Sequence, residues 1–288
     1  MTIAVLLTCH NRKVKTINCL NNLYRAYTKS NSSIEFDIYL TDDGSTDGTA
    51  EEVKKQFPKT TILKSDGSLF WAKGMNNSWK EALKKNYDGY LLLNDDTNVY
   101  DNVFSQIIET NTFCIETFKQ SGVYVGTTID PVKKKLSYGG SVLLNKFLYT
   151  FKKLKPSGTP QQCDLGNANI MFVSNTVVEK VGILSKGYIH GVADYDYTLT
   201  CIKNKIPVLI TPDFCGECVN DHKGLYHNFH LKTFRERIKH LYNPTGIAFK
   251  SRLLFMRKFF PYRYPIFYLM GWFKVLFPKF YMNQFTKR

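Results

Sequence analysis

The chain has 288 residues, of which 43% are hydrophobic and 22% charged, a composition that predicts a globular protein with a sizeable core. Its net charge of +15 is unevenly distributed: residues 1–222 carry 25 basic and 23 acidic side chains, whereas residues 223–288 carry 14 basic side chains and one acid, Glu236. This pattern argues against a nucleic-acid-binding body, because the near-neutral first part offers no strongly basic surface for a phosphate backbone.

The first apolar run, residues 3–8, is too short for a signal peptide and has no basic residue before it, so export is not expected. The seven cysteines are odd in number and scattered, which indicates reduced thiols rather than a disulfide framework. Cys215 and Cys218, followed by His222, His227 and His230, would suit structural zinc. That alternative is the weaker one, since no second ligand pair follows at regular spacing.

In chain order, short apolar runs alternate with stretches whose apolar residues recur at helical spacing. The predicted strands of the first part cover residues 3–8, 36–40, 60–64 and 90–93. Helices are predicted around residues 17–24, 50–57 and 79–83, and residues 66–77 are predicted to be a loop. Strands that alternate with helices predict a three-layer α/β/α fold with a mainly parallel central sheet.

The second part is less regular. A Lys- and Gly-rich surface hairpin is predicted over 133–155, strands over 170–173 and 207–212, and helices over 177–182 and 193–202. We therefore predict an α/β domain over residues 1–222, with a nucleotide-binding half at about 1–98 and an acceptor half at about 99–222. A basic, aromatic helical tail follows over 223–288.

Acidic clusters follow several of the predicted strands, and open α/β sheets bind ligands at the carboxyl ends of their strands. Asp42 and Asp43 either cap a turn or contact a base and ribose. Asp95 and Asp96 directly follow a buried strand, where a divalent cation would offset the cost of the charges, although a helix cap is the alternative. Asp194 either caps the predicted helix or acts as a general base.

Taken together and in order, residues 8–12, 41–49, 94–96 and 193–196 resemble the motifs of family-2 glycosyltransferases with the GT-A fold. Residues 67–76 resemble a pattern of the bacterial branch that decorates cell-surface polysaccharides, including rhamnosyltransferase-like members. The resemblance covers roughly residues 1–222. It implies an inverting transfer from a nucleoside diphosphate sugar, with a UDP- or dTDP-sugar expected, to a glycan or lipid-linked acceptor.

The resemblance also implies roles for individual residues and a Mn²⁺ or Mg²⁺ cofactor. Asp194 is the expected catalytic base, and Asp96 the expected metal ligand, with His222 as a further metal or diphosphate contact. The expected nucleotide-binding residues are Thr8, His10, Asn11, Arg12, Asp42, Asp43, Trp71, Lys73, Gly74, Asn76 and Asp95. The expected acceptor-binding residues are Gly166, Asn167, His190 and Asp196.

Two positions depart from the family pattern. Asn94 replaces the first acid of the Asp-x-Asp motif, which weakens the expected metal site. Ala193 replaces the Glu beside the base, which leaves open whether Asp194 or Asp196 accepts the proton. The rival interpretations are a sugar nucleotidyltransferase, which would usually carry a glycine-rich loop near residues 8–12, and a degenerate glycan-binding scaffold.

The tail, residues 250–288, combines nine basic residues with many aromatics and no acid. The apolar run 264–277 is shorter than the roughly 20 residues that a spanning helix needs. The composition predicts an interfacial helix on an anionic bilayer, which would place the protein peripherally on the cytoplasmic face of the cell membrane. Packing against the body or a partner chain is the alternative.

Overall fold

The computed structural model describes residues 1–30, 34–220 and 228–285. The first part of the chain alternates strands and helices as predicted. Its elements are β1 (Thr2–Cys9), α1 (Lys13–Lys29), β2 (Glu35–Asp42), α2 (Thr49–Gln56), β3 (Thr61–Lys64), α3 (Phe70–Ala82), β4 (Gly89–Leu93), β5 (Asn98–Val99) and α4 (Val103–Phe118).

The second part adds more strands and fewer crossover helices. Its elements are β6 (Val123–Ile129), β7 (Gly140–Asn145), β8 (Thr150–Lys153), β9 (Gln161–Gln162), β10 (Leu165–Gly166), β11 (Ile170–Ser174), α5 (Asn175–Val181), α6 (Ala193–Lys203) and β12 (Val208–Glu217). The C-terminal helices are α7 (Phe234–Tyr242), α8 (Phe249–Phe259), α9 (Tyr264–Leu276) and α10 (Pro278–Phe285), with 3₁₀ turns at Phe229–Leu231 and Pro261–Arg263.

Nine strands form the central sheet in the order β3-β2-β1-β4-β11-β6-β12-β5, with β9 also paired to β12. Strands β1 to β4 are parallel to one another, as are β6 and β12. Strand β11 runs antiparallel between β4 and β6, and β5 and β9 are antiparallel to β12. The predicted mainly parallel sheet is confirmed. A small second sheet, β10-β7-β8, contains the predicted hairpin.

Alternate side chains of β1 enter two different cores, one on each face of the sheet. Val5 and Leu7 pack with α1 and α4, whereas Ala4 and Leu6 pack with α3 and α6. Each fully buried aliphatic side chain contributes about 1.5–3 kcal/mol relative to exposure. Burial on both faces explains why β1 and β4 are nearly continuous apolar runs, and it produces the three-layer architecture.

Helix α3 includes most of the stretch 66–77, so the predicted loop is wrong there. The carboxylate of Asp43, at the end of β2, accepts hydrogen bonds from the backbone N–H groups of Gly67 (3.1 Å), Leu69 (3.1 Å) and Phe70 (2.7 Å). The first backbone N–H groups of a helix otherwise lack intrahelical partners. The carboxylate of Asp43 supplies the missing hydrogen-bond acceptor from a different part of the chain. No local sequence signal reveals this contact, because the two partners are distant in sequence.

The C-terminal helices are not a separate appendage. On α8, Phe255, Met256 and the adjacent Phe260 are buried together with Tyr188 and Leu199 of the α/β body. A further small core joins α7, α8 and α9. Within the described ranges, the structure contains no helix both long and apolar enough to cross a membrane.

Candidate functional site

Two adjoining cavities lie at the carboxyl ends of β1, β2 and β4, where the sequence predicts a ligand site. The outer cavity, of about 390 Å³, is lined by Thr8, Cys9, His10, Arg12, Asp43, Gly67, Phe70, Trp71, Asp95, His190 and Thr245. The inner cavity, of about 370 Å³, is lined by Arg12, Trp71, Asn94, Asp95, Asp96, Tyr138, Asn167, Ala168, Asn169, His190, Gly191, Val192, Asp194, Tyr195, Cys218 and Arg252. Because they share four residues, the two cavities form one continuous cleft.

The outer cavity is shaped by loops that polar contacts hold in place. The Nδ1 atom of His10 lies 2.6 Å from the backbone oxygen of Asp43. The side-chain oxygen of Asn11 accepts a hydrogen bond from the N–H of Thr46 (2.7 Å), and the backbone N–H of Asn11 donates to Ser45 (2.9 Å). These bonds fix the loops after β1 and β2 relative to each other.

Arg12 and two aspartates form a charged cluster where the cavities meet. The guanidinium of Arg12 lies 3.1 Å from the carboxylate of Asp95 and 2.8 Å from that of Asp96. Asp95 is only 4% exposed, and burial raises its pKa to about 7, although the charge of Arg12 opposes the rise. Asp96 is the more exposed carboxylate of the two, so its oxygens are the ones available to a ligand.

Trp71 links the first turn of α3 to the acidic cluster. Its indole Nε1 donates a hydrogen bond of 2.7 Å to the side-chain oxygen of Asn94. Asn94 stands where the family pattern has an acid, and here its oxygen is already engaged. Trp71 therefore forms part of the wall between the cavities.

Asp194 lies in the first turn of α6 and lines the inner cavity. Its carboxylate accepts hydrogen bonds from the N–H groups of Tyr195 (2.9 Å) and Ala168 (3.3 Å) and from the side-chain amide of Asn167 (3.4 Å). Burial raises the pKa of Asp194, while these hydrogen bonds oppose the rise. A carboxylate held this way is positioned to accept a proton from a group in the cavity.

Asp196 does not reach the cleft, although the sequence placed it among the acceptor-binding residues. Its fully buried carboxylate accepts hydrogen bonds from Ser185 (2.5 Å) and Tyr188 (2.7 Å) and pairs with Lys258 of α8 at 2.8 Å. Residues two apart on a helix point in different directions. The geometry therefore makes Asp194, not Asp196, the carboxylate that faces the cavity.

Several other predicted site residues lie beside the cleft without lining it. Asp42 accepts a hydrogen bond from the N–H of Ser45 (3.0 Å), and Asn76 donates to the backbone oxygen of Leu184 (3.0 Å). A Cβ atom at Gly74 would lie 2.2 Å from the hydroxyl of Thr8, so this glycine permits close packing of α3 on β1. The remaining members of this group are Asn11, Lys73 and Gly166. His222 lies outside the described residues.

The cleft also contains residues that sequence reasoning missed. Tyr138 comes from the segment before the hairpin, and Thr245 and Arg252 come from the C-terminal region. No spacing rule links these positions to the motifs of the first 200 residues. Other lining residues carried a signal, because each adjoins a predicted site residue: Cys9, Phe70, Ala168, Gly191 and Tyr195.

Comparisons with known proteins agree with this architecture. Residues 4–111 match the family described as "Glycosyl transferase family 2". Among solved structures, the chain is similar to S. aureus TarS 1-349, with 14% identity, a TM-score of 0.51 and coverage of 84% of this chain and 66% of that chain. The same TarS fragment in complex with UDP gives 16% identity, a TM-score of 0.52 and the same coverage.

The chain is also similar to GalNAc-T7, crystallised with UDP, GalNAc and Mn²⁺, at 12% identity and a TM-score of 0.56 over 76% of this chain and 44% of that chain. The chain thus spans 66% or less of the length of these structures. At such identities the likeness shows the fold, and it confirms the predicted GT-A-type architecture. No curated protein matches the sequence significantly.

Proposed function

We propose that this chain, whose residues 4–111 match glycosyl transferase family 2, moves a sugar from a nucleoside diphosphate to an acceptor hydroxyl with inversion. The observation that carries this proposal is that one cavity is lined by both a cation and a held carboxylate: Arg12 beside Asp96, and Asp194. A guanidinium suits a diphosphate, and a carboxylate that can accept a proton suits a hydroxyl nucleophile.

We assign the nucleoside to the outer cavity. Phe70 and His10 offer ring faces and edges there, and Thr8 offers a hydroxyl. TarS and GalNAc-T7, which are similar in structure to this chain, were crystallised with UDP. A UDP- or dTDP-sugar is the proposed donor for this chain.

A divalent ion is the proposed cofactor, and the residues of the cleft fit an ion that is held by the protein and the substrate together. Among the described residues, no three His, Cys, Asp or Glu side chains converge on one point. Mg²⁺ commonly binds through one or two carboxylates together with substrate phosphates and water. Asp96, whose charge is balanced here by a cation, Arg12, fits a site that the donor diphosphate completes. When bound, the ion would supply Lewis-acid stabilisation of the leaving group.

The remaining chemistry follows from the side chains of this chain. Asp194 accepts the proton of the acceptor hydroxyl as the new bond to the anomeric carbon forms. The bond from that carbon to the diphosphate oxygen breaks at the same time, and its electron pair leaves with the nucleoside diphosphate. Attack on the face opposite the leaving group inverts the anomeric centre. This route uses no enzyme nucleophile and therefore no covalent sugar-enzyme intermediate.

Replacement of Asp96 by alanine is expected to abolish transfer and to remove the Mn²⁺-dependent part of nucleotide binding. The physical reason is the loss of the carboxylate that would hold the ion against the diphosphate. Titration of UDP with and without Mn²⁺, on wild type and Asp96→Ala, measures it. Asp213→Ala, at an exposed carboxylate that lines neither cavity, is the matched control. Undiminished transfer in the presence of EDTA would contradict the metal assignment.

We further propose that the acceptor belongs to a surface glycan and is presented at the cytoplasmic side of an anionic membrane. The support is a basic, apolar surface formed by the β7–β8 hairpin and the turn before α9. Residues 131–160 carry seven lysines and no acid. Phe147, at the hairpin tip, is 67% exposed, and Tyr262 is 77% exposed. Their ring centroids lie 6.2 Å apart, so the two segments form one surface.

Removal of the apolar hairpin tip is expected to weaken binding to anionic vesicles. Buried aromatic and aliphatic groups contribute to interfacial binding, and basic residues near the surface contribute about 1 kcal/mol each. Co-sedimentation of Phe147→Asn/Leu148→Asn with phosphatidylglycerol-containing vesicles, at two salt concentrations, measures this. Val14→Asn, which removes an exposed apolar side chain from α1, is the control. Equal sedimentation of all three proteins would refute membrane docking by this surface.

A further inference from the structure

Helix α8 is fixed against the helix that carries Asp194. Its Lys258 pairs with the buried Asp196 of α6 at 2.8 Å, and its Phe255 lies in the same buried core as Ala193 and Leu199 of that helix. Tyr149, at the start of β8, also packs on α8, with ring centroids 5.9 Å from Phe255. The position of α8 is thus determined by packing and by charge.

This docking places Arg252, one turn from the start of α8, in the wall of the inner cavity together with Asp194. Arg252 and Asp194 both influence the hydroxyl of Tyr149. Burial raises the pKa of Tyr149 to about 12, an effect that the positive charge of Arg252 opposes and the negative charge of Asp194 reinforces. The same two charges act on Tyr195. Arg252 therefore belongs to the Asp194 end of the cleft.

The guanidinium of Arg252 has no carboxylate within 4.0 Å among the described residues. Arg12 differs, because it pairs with Asp95 and Asp96. Arg12 also lines the outer cavity, whereas Arg252 lines only the inner one. An arginine without a carboxylate partner in a ligand cavity is suited to bidentate binding of a phosphate or carboxylate.

We propose that Arg252 binds an anionic group, a phosphate or a carboxylate, on the acceptor. The inference rests on the proposed function, since it takes the Asp194 end of the cleft to be the acceptor end. It identifies the acceptor class as an anionic saccharide and makes Arg252 a specificity-determining residue. The packing of α8 on α6 would hold the guanidinium in the cavity that Asp194 also lines.

The test is steady-state kinetics with three matched acceptors: a neutral glycoside, the same glycoside bearing a phosphate, and the same glycoside bearing a carboxylate. Arg252→Gln should raise KM for at least one anionic acceptor about tenfold or more, because a charge-assisted hydrogen bond is lost. KM for the neutral acceptor should change less than twofold. Arg252→Lys should retain part of the affinity that Arg252→Gln loses, and the control Arg257→Gln, at an exposed position of the same helix, should keep wild-type kinetics. Whichever anionic acceptor responds identifies the group.

Hydrolysis of the donor in the absence of acceptor separates this inference from the proposed function. Its KM should be the same for wild type and Arg252→Gln. A parallel rise in the donor KM would assign Arg252 to the donor diphosphate and overturn the proposal. Equal use of neutral and anionic acceptors by the wild type would also overturn it. Absence of hydrolysis for every sugar nucleotide would instead refute the proposed function itself.

Discussion

Replacing Asp194 by asparagine is expected to lower kcat/KM for sugar transfer by about 10²–10⁴-fold, the usual contribution of a positioned general base. Asparagine keeps the size of the side chain and an oxygen that can accept from the N–H of Tyr195, so the fold of α6 should persist. What it loses is the ability to take the proton. Affinity for the donor nucleotide should therefore stay within about twofold, and the loss should appear in kcat.

The pH profile gives a second measurement of the same role. Burial raises the pKa of Asp194, and the base must be deprotonated to act. Transfer should therefore decline with falling pH at a higher pH than an exposed aspartate, with its pKa of about 3.9, would produce. In Asp194→Asn the residual activity should lose this dependence. Asp213→Asn, at an exposed position, is the control, and near-normal transfer by Asp194→Asn would show that another group takes the proton.

Replacing Lys258 by methionine is expected to lower the free energy of unfolding by about 1–3 kcal/mol, because it removes a charged partner of the buried Asp196 carboxylate. The effect should be smaller than for a fully buried ion pair, because the Lys258 side chain is 34% exposed and its charge is partly screened by water. The carboxylate of Asp196 is fully buried, and Lys258 is its only charged partner among the described residues. The hydroxyls of Ser185 and Tyr188 remain, but neither balances the charge. Urea unfolding of wild type and variant measures the difference.

A double-mutant cycle distinguishes the ion pair from simple packing loss. Asp196→Asn combined with Lys258→Met removes both charges, so the double variant should be destabilised by less than the sum of the single variants. Arg257→Met, at the exposed neighbouring position on α8, should change stability by less than about 0.5 kcal/mol. Additive effects of the two single variants would mean that the charges do not interact.

Much of the fold could be predicted because its signals are local. Strands β1 and β4 are buried on both faces and therefore appear as continuous apolar runs, whereas α1 shows apolar residues at helical spacing. Parallel strands bring their carboxyl ends to one edge of the sheet. The acids after β2 and β4 were therefore expected together, and the structure brings Asp43 and Asp95 to the same cavity.

The start of α3 and the docking of the C-terminal helices could not be predicted, because both depend on partners distant in sequence. Asp43 caps a helix whose first residue lies 27 positions later. The basic, aromatic composition of the tail predicted an interfacial segment, yet several of its aromatic side chains pack in a hydrophobic core against the α/β body. Composition cannot decide between a lipid surface and a protein surface, since both bury apolar groups.

By itself, then, the sequence determined the α/β class, the resemblance to family-2 glycosyltransferases and the edge of the sheet where the site lies, because each follows from local pattern or motif order. Only the tertiary structure showed which of Asp194 and Asp196 lines the cavity. Helical geometry dictates that these two side chains point in different directions, but not which of them faces the cavity. The packing of α8 on α6 decides it, because Lys258 of α8 pairs with Asp196 on the covered side of α6. The same helix adds Arg252 to the cavity from more than 50 residues away in sequence.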